Sequence, residues 1–336
     1  MSISVVIPVY NGARHLAEAL DSIATQGWRP HEVIVADDAS TDRSAAIAAS
    51  WGATVIRMPS NGGPARARNA AIRAAAGDLV AFLDADDRWA PSHLERVAGL
   101  LDRYPEAIVA FGGVQRFGER TGRNQPMIPA DTPVRVDPLL LGPNVPQGAA
   151  VVRRSALRAV GGYTEDMRYA EDYDLWLRLA RLGPFVATHE PTLHYRFHAD
   201  QSSRALTGMF EGAWCARERA LAAAARTLDP DALSALAARL LRQWELDLRA
   251  AWHYRSREPL ATVLAQHHRV PGSAATLVRW ERRLRASRPL WLVGAAVWDR
   301  VPAPLRARLS RLRSARPAPP AVDPPAGLRA ARRQPA

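Results

Sequence analysis

The chain has 336 residues, and 48% of them are hydrophobic, which is ordinary for a globular protein and sufficient for a buried core. Its single cysteine, Cys215, excludes an intrachain disulfide and a zinc site built from several cysteines. The net charge of +12 comes from the C-terminal part, because residues 199–336 carry 24 arginines against 11 acidic residues, whereas residues 1–198 carry 21 basic and 22 acidic residues.

The start of the chain and its hydropathy predict where the protein works. Residues 3–7 already read as a strand, so we predict no signal peptide. The longest apolar run, residues 289–298, is shorter than the roughly 18 residues that a membrane-spanning helix needs. A single cysteine fits a reducing compartment, and we therefore expect a cytoplasmic protein.

Predicted strands and helices alternate in the N-terminal third of the chain. Strands are expected at 3–10, 32–36, 54–56 and 79–83. Helices are expected at 14–26, from about 42 to 50, from 64 onward and at 91–104. This alternation predicts an α/β fold, with a mostly parallel, Rossmann-like sheet flanked by helices.

The pattern is less regular after residue 104. Strands are expected at 108–117, 149–152 and 191–197, helices at 155–160 and from 171, and a loop at 119–146. From about residue 205 the sequence predicts a C-terminal α-helical extension with helices at 205–227, 230–253, 258–268 and 273–287. Residues 312–336 are rich in Pro, Arg and Ala, which predicts a disordered basic tail.

Three carboxylates, Asp84, Asp86 and Asp87, directly follow the fourth predicted strand. Ligands bind at the carboxyl ends of strands in open α/β sheets, and crowded carboxylates repel one another unless a cation is near. The alternating spacing of Asp84 and Asp86 predicts that both carboxylates lie on the same side, which suits Mg²⁺ or Mn²⁺ bridging a diphosphate. The alternative is a solvated acidic turn.

A second acidic pair, Asp37 and Asp38, ends the second predicted strand. Carboxylates there can accept hydrogen bonds from a base imide or from ribose hydroxyls. They can equally cap the next helix, for which Ser40 or Thr41 is also a candidate.

Two further stretches carry candidate polar chemistry. The loop 61–63 leads through Pro64 into a helix with Arg66 and Arg68, and a helix N-terminus with a nearby arginine can hold phosphate oxygens. The alternative for either arginine is a solvated helix face. Glu171 and Asp172 begin a later predicted helix, where a carboxylate can serve as a general base or can simply cap the helix.

His198 follows the last predicted strand and is either a metal ligand or a surface histidine. Taken together, these motifs resemble the family 2 glycosyltransferases, which have the GT-A fold. The resemblance covers about residues 2–200, and none is found for residues 201–336. The motifs occur in the order of the family, at residues 6–11, 37–42, 61–69, 82–87, 171–178 and 195–198.

The resemblance implies a nucleotide site. Tyr10 would pack against the base and Asp38 would bind its imide, with Pro8 and Asp37 beside them. Arg68 would lie near the diphosphate of the donor.

The resemblance also implies the metal and catalytic residues. Asp84 would contact ribose or metal, Asp86 would be the main ligand of Mn²⁺ or Mg²⁺, and His198 would be a further ligand. Asp172 would be the catalytic base, with Glu171 beside it.

The implied organisation is a glycosyltransferase domain at 1–200, with a nucleotide half at about 1–104 and an acceptor half at about 105–200. A helical extension at 201–311 and the tail at 312–336 follow it. The implied reaction is the inverting transfer of a sugar from a nucleotide sugar, expected to be a UDP-sugar, to a hydroxyl of a glycan or lipid-linked acceptor, as in polysaccharide and cell-envelope biosynthesis.

Two other functions remain open from the sequence. One is a scaffold that binds nucleotide sugars without turnover. The other is a nucleotidyltransferase, which would be expected to carry a Gly-rich, Lys-bearing phosphate loop after the first strand, whereas this chain contains no lysine.

The basic C-terminal part contains six tryptophans. Amphipathic helices with Trp and Arg suit the surface of an anionic membrane, which predicts peripheral contact with the inner face of the cytoplasmic membrane. The alternative is that these tryptophans fill a small helical core. We do not expect nucleic-acid binding, because no recognised module accompanies the charge. The tryptophans are Trp214, Trp244, Trp252, Trp280, Trp291 and Trp298.

Overall fold

The structure is a computed structural model that describes residues 1–135, 145–199, 201, 204–224, 226, 235, 238, 241–248, 263 and 266. In these residues the strands are β1 (Ile3–Val9), β2 (Glu32–Asp37), β3 (Thr54–Arg57), β4 (Leu79–Phe82), β5 (Arg88–Trp89), β6 (Val109–Gly118), β7 (Gly122–Asn124), β8 (Ala150–Arg153) and β9 (Phe185–Phe197). The helices are α1 (Leu16–Ala24), α2 (Ser44–Trp51), α3 (Pro64–Ala74), α4 (His93–Arg103), α5 (Arg154–Ala159), α6 (Glu171–Leu179) and α7 (Leu206–Ala224).

All of the described strands belong to one sheet, in the order β3-β2-β1-β4-β8-β6-β9-β5, and β7 pairs with β6. The first four strands are parallel, as their alternation with helices predicts. Strand β8 then pairs antiparallel with both β4 and β6, so the second half of the sheet is mixed. The α/β sheet flanked by helices is confirmed. Its first four strands are all parallel, whereas its second half combines the parallel pair β6 and β9 with the antiparallel strand β8.

The central strands are buried on both faces, which is why they read as continuous apolar runs. Val6, Ile34 and Phe82 face a core that includes side chains from α3, α5 and α6. Val5 and Val35 alternate to the other face and pack with side chains from α1 and α4. This two-sided burial fixes β1, β2 and β4 in register and holds their carboxyl ends at one edge.

Two predicted elements were wrong in extent. Strand β9 begins at Phe185, six residues before the predicted start at Pro191, and Pro191 lies at a register irregularity opposite Gly113. A proline has no N–H to donate, so an irregularity of the ladder accommodates it without ending the strand. The predicted loop 119–146 contains the short strand β7, which pairs with the end of β6.

The described part of the C-terminal region is helical. Helix α7 lies within the predicted helix 205–227, and residues 241–248 lie within the predicted helix 230–253. Trp214 is 2% exposed and Trp244 is fully buried, so these two side chains fill a core. The other four tryptophans, the predicted helix 273–287 and the tail 312–336 lie outside the described residues. None of the helices in the described part has the length and apolar character needed to cross a membrane.

Candidate active site

The parallel strands bring three sequence-predicted residues to one edge of the sheet. The amide of Asp38 donates to the Val9 carbonyl (2.8 Å), which sets the end of β2 beside the end of β1. On the other side of β1, Val6 is in register with Phe82, two residues before Asp84. Tyr10 follows β1 with 53% of its surface exposed, so its ring is available to a planar ligand.

The carboxylates of Asp37 and Asp38 are buried and bind the protein backbone. Asp37 Oδ1 accepts from the Ser40 amide (3.0 Å). Asp38 Oδ2 accepts from the Gly63 amide (2.7 Å), and its carboxylate also accepts from the Gly62 amide. A phosphate site was predicted at the loop before α3. The amides of Gly62 and Gly63 in this loop bind Asp38 in the structure. A nucleotide role for Asp37 and Asp38 stays a prediction.

The loops after β1 and β2 bind each other. Asn11 Oδ1 accepts from the Thr41 amide (2.9 Å), and the Asn11 amide donates to Ser40 Oγ (2.9 Å). The prediction that Ser40 or Thr41 caps α2 was wrong, because α2 begins at Ser44 and the Ser44 amide donates to the Asp42 carboxylate (2.9 Å).

Three residues around this site that are not glycine have a left-handed backbone conformation. The φ angles are 50° at Asn11, 62° at Ala39 and 56° at Ala170. They lie directly after Tyr10, directly after Asp38 and directly before Glu171. For an L-alanine this conformation costs roughly 1–2 kcal/mol, so the surrounding contacts must hold it. Such strain collects at binding and catalytic sites.

The Arg68 guanidinium joins the two halves of the site. Its Nη2 donates to Asp84 Oδ1 (2.7 Å) and its Nη1 donates to Glu171 Oε1 (2.8 Å). The side chain is 7% exposed and its Cζ lies 5.5 Å from the centroid of the Tyr163 ring. Burial lowers the pKa of Arg68, but the charges of its partners raise it further, so it is always protonated. The predicted contact with a diphosphate stays a prediction, since both Nη atoms already bind carboxylates.

The acidic stretch after β4 is a turn. Strand β4 ends at Phe82, and the Asp87 amide donates to the Asp84 carbonyl (3.1 Å). The expected strand-like alternation of Asp84 and Asp86 was therefore wrong. Asp84 pairs with Arg68, whereas Asp86 Oδ2 lies 2.9 Å from His198 Nε2. The turn sends the two carboxylates to different partners.

Arg196 is a site residue to which the sequence assigned no role. Its amide donates to Asp87 Oδ1 (2.8 Å), and its Nε donates to the Asp86 carbonyl (2.8 Å). Its Nη2 donates to Glu18 (2.8 Å), and its Cζ lies 4.6 Å from the centroid of the Phe117 ring. The motif that includes His198 contains Arg196, but only the folded chain shows that it binds the backbone of the acidic turn.

Asp87 is the buried member of the acidic turn. It is 1% exposed, and burial, followed by the charges of Asp86 and Asp84, raises its pKa well above the usual range for a carboxyl. Its carboxylate accepts from the Arg196 amide on β9, which ties the turn to that strand.

Glu171 and Asp172 form the other side of the site, at the start of α6. Asp172 Oδ1 accepts from the Tyr173 amide (2.7 Å). Burial and then the negative charge of Glu171 raise the pKa of Asp172 to about 7, although Arg68 opposes the shift. A carboxyl group with this pKa can exchange a proton near neutral pH, as general-base catalysis requires.

The donor set fits a divalent cation in part. The Asp86 carboxylate and the His198 imidazole converge on each other, and their side chains are 35% and 22% exposed. Asp84 contributes a partly exposed carboxylate that Arg68 already binds. No cluster of three or more potential metal ligands is found among the residues that the structure describes. Two protein ligands suffice for Mg²⁺ or Mn²⁺ when phosphate oxygens complete the coordination.

Comparison with known proteins shows the family. A sequence model of the family described as "Glycosyl transferase family 2" matches residues 4–161. An uncharacterized glycosyltransferase of Rickettsia prowazekii is 28% identical over 62% of this chain and 68% of its own length. The putative glycosyltransferase EpsE of Bacillus subtilis is 32% identical over 54% of this chain and 67% of its own length. The uncharacterized glycosyltransferase YwdF of the same organism is 31% identical over 54% of this chain and 69% of its own length.

Solved structures show the same fold. TarS residues 1–349 from S. aureus, solved in complex with UDP-GlcNAc, has a TM-score of 0.55 at 20% identity. The comparison covers 93% of this chain and 87% of that one. The mannosyltransferase PcManGT from Pyrobaculum calidifontis, in complex with GDP-Man and Mn²⁺, also has a TM-score of 0.55 at 20% identity, over 93% and 85% of the two chains.

Replacing Arg68 by methionine tests the central ion pairs. Arg68→Met removes the cation and leaves two carboxylates close together, so we expect the free energy of unfolding to fall by about 3 kcal/mol in urea titrations at pH 7. The matched control is Arg73→Met on the same helix, where the exposed arginine lies 3.5 Å from Glu165. We expect the control to change stability by less than about 0.5 kcal/mol. Equal effects of the two substitutions would contradict a central role for Arg68.

Proposed function

The chain belongs to glycosyl transferase family 2, and from this premise we propose that it is an inverting, metal-dependent glycosyltransferase that uses a nucleotide sugar, in particular a UDP-sugar. The observation that carries the proposal is the pair of Arg68 contacts, which gathers carboxylates from the turn after β4 and from the start of α6 into one site. The two structural neighbours were solved in complex with UDP-GlcNAc and with GDP-Man, which supports the proposed class of donor.

In the proposed reaction Asp172 is the general base. It accepts the proton of an acceptor hydroxyl while that oxygen attacks the anomeric carbon. The bond from the anomeric carbon to the diphosphate oxygen breaks at the same time, and the nucleoside diphosphate leaves with that electron pair. A single displacement from the opposite side inverts the anomeric configuration.

Glu171 and Arg68 set the environment of this base. Burial and then the charge of Glu171 keep the pKa of Asp172 high, so Asp172 holds a transferred proton more readily than an exposed aspartate would. Arg68 binds Glu171 and Asp84 and thereby limits the repulsion among the three carboxylates. We propose that this balance keeps the pKa of Asp172 close to neutral without unfolding the start of α6.

Asp86 and His198 are the proposed protein ligands of Mn²⁺ or Mg²⁺, with Asp84 shared between ribose and metal. When bound, such a cation neutralises charge that develops on a diphosphate leaving group. Arg196 contributes by holding the backbone of the acidic turn through the Asp86 carbonyl.

The proposed nucleotide site uses the sheet edge. The exposed Tyr10 ring would stack on the base, and Asp38, with Pro8 and Asp37 beside it, would form the base and ribose pocket. Because the Asp38 carboxylate binds the amides of Gly62 and Gly63, we propose that it also orders this loop for the donor.

The acceptor is proposed to be a saccharide or lipid-linked saccharide hydroxyl, as in polysaccharide or cell-envelope biosynthesis. Release of UDP on transfer would distinguish this function from a nucleotidyltransferase, which releases pyrophosphate. A scaffold would bind the donor and release neither product.

The base assignment is tested with Asp172→Asn. We expect the turnover number for UDP release from UDP-GlcNAc, or for GDP release from GDP-Man, to fall by roughly 10²- to 10⁴-fold, while nucleotide affinity measured by calorimetry stays within about twofold. Wild-type turnover in this variant would remove Asp172 from the mechanism.

The pH dependence gives an independent check of the same assignment. Asp172 acts as a base only when it is deprotonated, so turnover should rise with pH through an apparent pKa of about 7. Glu171→Gln removes the neighbouring charge that raises the pKa of Asp172, so the acidic limb should move to lower pH. If the acidic limb of the pH–rate profile stays at the same pH in Glu171→Gln, another group limits the rate.

The metal assignment is tested with Asp86→Asn. We expect the affinity for Mn²⁺ in the presence of UDP, measured by calorimetry, to fall about 10- to 100-fold, because the main protein ligand loses its charge. Asp102→Asn, at an exposed carboxylate on α4, is the matched control and should bind Mn²⁺ like the wild type. Mn²⁺ binding by Asp86→Asn at wild-type affinity would place the metal elsewhere.

Peripheral contact with the inner face of the cytoplasmic membrane is also proposed, from the arginine excess of residues 199–336. The full chain should float with anionic vesicles at low salt and should separate from them at about 0.5 M salt, because screening weakens such contacts. Failure to float with anionic vesicles at low salt would remove the proposal.

A further inference from the structure

Helix α7 contacts the segment that carries the candidate base. Gly208 and Gly212, one turn apart on α7, face Tyr169, the residue before Ala170. A Cβ atom at Gly208 would lie 2.5 Å from Tyr169 Cε2, and one at Gly212 would lie 2.8 Å from the Tyr169 carbonyl carbon. Both distances are too short for real atoms, so a side chain at Gly208 would collide with the Tyr169 ring and one at Gly212 would collide with the Tyr169 backbone.

The backbone under α7 is strained. Ala170 is 4% exposed and has a φ of 56°, and Glu171 and Asp172 follow it directly. An alanine keeps this left-handed conformation only where its surroundings hold it. A Cβ at Gly212 would lie 3.2 Å from the Ala170 Cβ, so α7 is among those surroundings.

Further along α7, Arg217 reaches the same helix start. The Arg217 Nε donates to the Tyr173 hydroxyl (3.1 Å), and its Cζ lies 5.3 Å from the centroid of the Tyr173 ring. Arg217 is 1% exposed, and its Nη1 pairs with Asp247. A buried guanidinium needs such a partner, since removing it from water is costly.

Residues 241–248 hold that partner in place. The Gln243 Nε2 donates to Asp247 Oδ1 (3.1 Å). Trp244 is fully buried, and its Nε1 donates to the Val263 carbonyl (2.7 Å). The helical region therefore supplies a fixed anion to Arg217.

We propose that Arg217 is a positioning residue for Asp172, acting through Tyr173, and that α7 with residues 241–248 is thereby part of the catalytic apparatus. A continuous chain of contacts carries the effect: Asp247 pairs with Arg217, Arg217 binds the Tyr173 hydroxyl, and the Tyr173 amide donates to Asp172 Oδ1. The proposal rests on the proposed function, because Asp172 is the base only there. It adds that residues beyond the match to the family, which ends at residue 161, set the position of that base.

The sharpest test is Tyr173→Phe in the full chain, because this substitution removes one hydroxyl group and keeps the ring. We expect the turnover number for UDP release from UDP-GlcNAc, or for GDP release from GDP-Man, to fall roughly tenfold, since small misplacement of a catalytic group is costly. The KM for the donor and the affinity for UDP should stay within about twofold of the wild type. A purely structural contact would instead change stability and leave the turnover number of the folded enzyme unchanged.

A double-mutant cycle tests the proposed route. Arg217→Met should lower turnover at least as much as Tyr173→Phe, and the double variant should be no slower than Arg217→Met alone, because both changes break the same contact. Arg217→Lys, which keeps the charge opposite Asp247, should recover part of the loss. Independent, multiplicative effects of the two substitutions would overturn the route through Tyr173.

The glycine contacts offer a second approach if Arg217→Met does not fold. Gly212→Ala should lower turnover, because the added methyl group displaces the backbone at Ala170. Gly99→Ala on α4 is the matched control, since a Cβ there meets no atom within 4 Å, and its turnover should equal that of the wild type.

Two results separate the possible failures. If Tyr173→Phe and Gly212→Ala fold and keep wild-type turnover while Asp172→Asn is inactive, α7 has only a structural role and the inference is overturned. If Asp172→Asn itself keeps wild-type turnover, the proposed function fails, and the inference fails with it.

Discussion

The Arg68 guanidinium lies between two carboxylates that are far apart in the chain, Asp84 after β4 and Glu171 at the start of α6. Two carboxylates that are close together and partly removed from water repel each other. The single cation between them replaces this repulsion with two charge-assisted hydrogen bonds. The turn after β4 and the helix α6 can therefore share one site. Without the Arg68 cation, the negative charges of Asp84 and Glu171 would be uncompensated, which would weaken both the fold and the candidate site.

Further contacts position the other parts of the site around this ion pair. Asp38 binds the loop amides before α3, the helix that presents Arg68, and Arg196 binds the carbonyl of Asp86. Helix α7 contacts the start of α6 through two glycines and Arg217. The left-handed residues Ala39 and Ala170 directly follow Asp38 and directly precede Glu171. The site is thus positioned by elements from most of the described chain.

Much of the fold was accessible from local patterns. Continuous apolar runs identified β1, β2 and β4, because strands buried on both faces need no alternation, and the intervening helices implied parallel pairing. The order of short polar motifs was enough to identify the family. Element ends were less accessible: β9 continues through Pro191 at a register irregularity, and the short strand β7 exists because β6 pairs with it. Neither feature has a local signal.

By itself, the sequence determined the α/β fold, the family and the identity of the polar residues at the sheet edge, since these depend on periodicity, on turn residues and on the order of motifs. Only the tertiary structure decided the partners of those residues. Asp84 binds Arg68, Asp86 lies against His198, and Asp38 binds Gly62 and Gly63. The tertiary structure also brought α7 against the start of α6. The physical reason is that a buried charge or a close helix contact is selected by three-dimensional packing, and its partner can lie a hundred residues away, beyond the range of any local pattern.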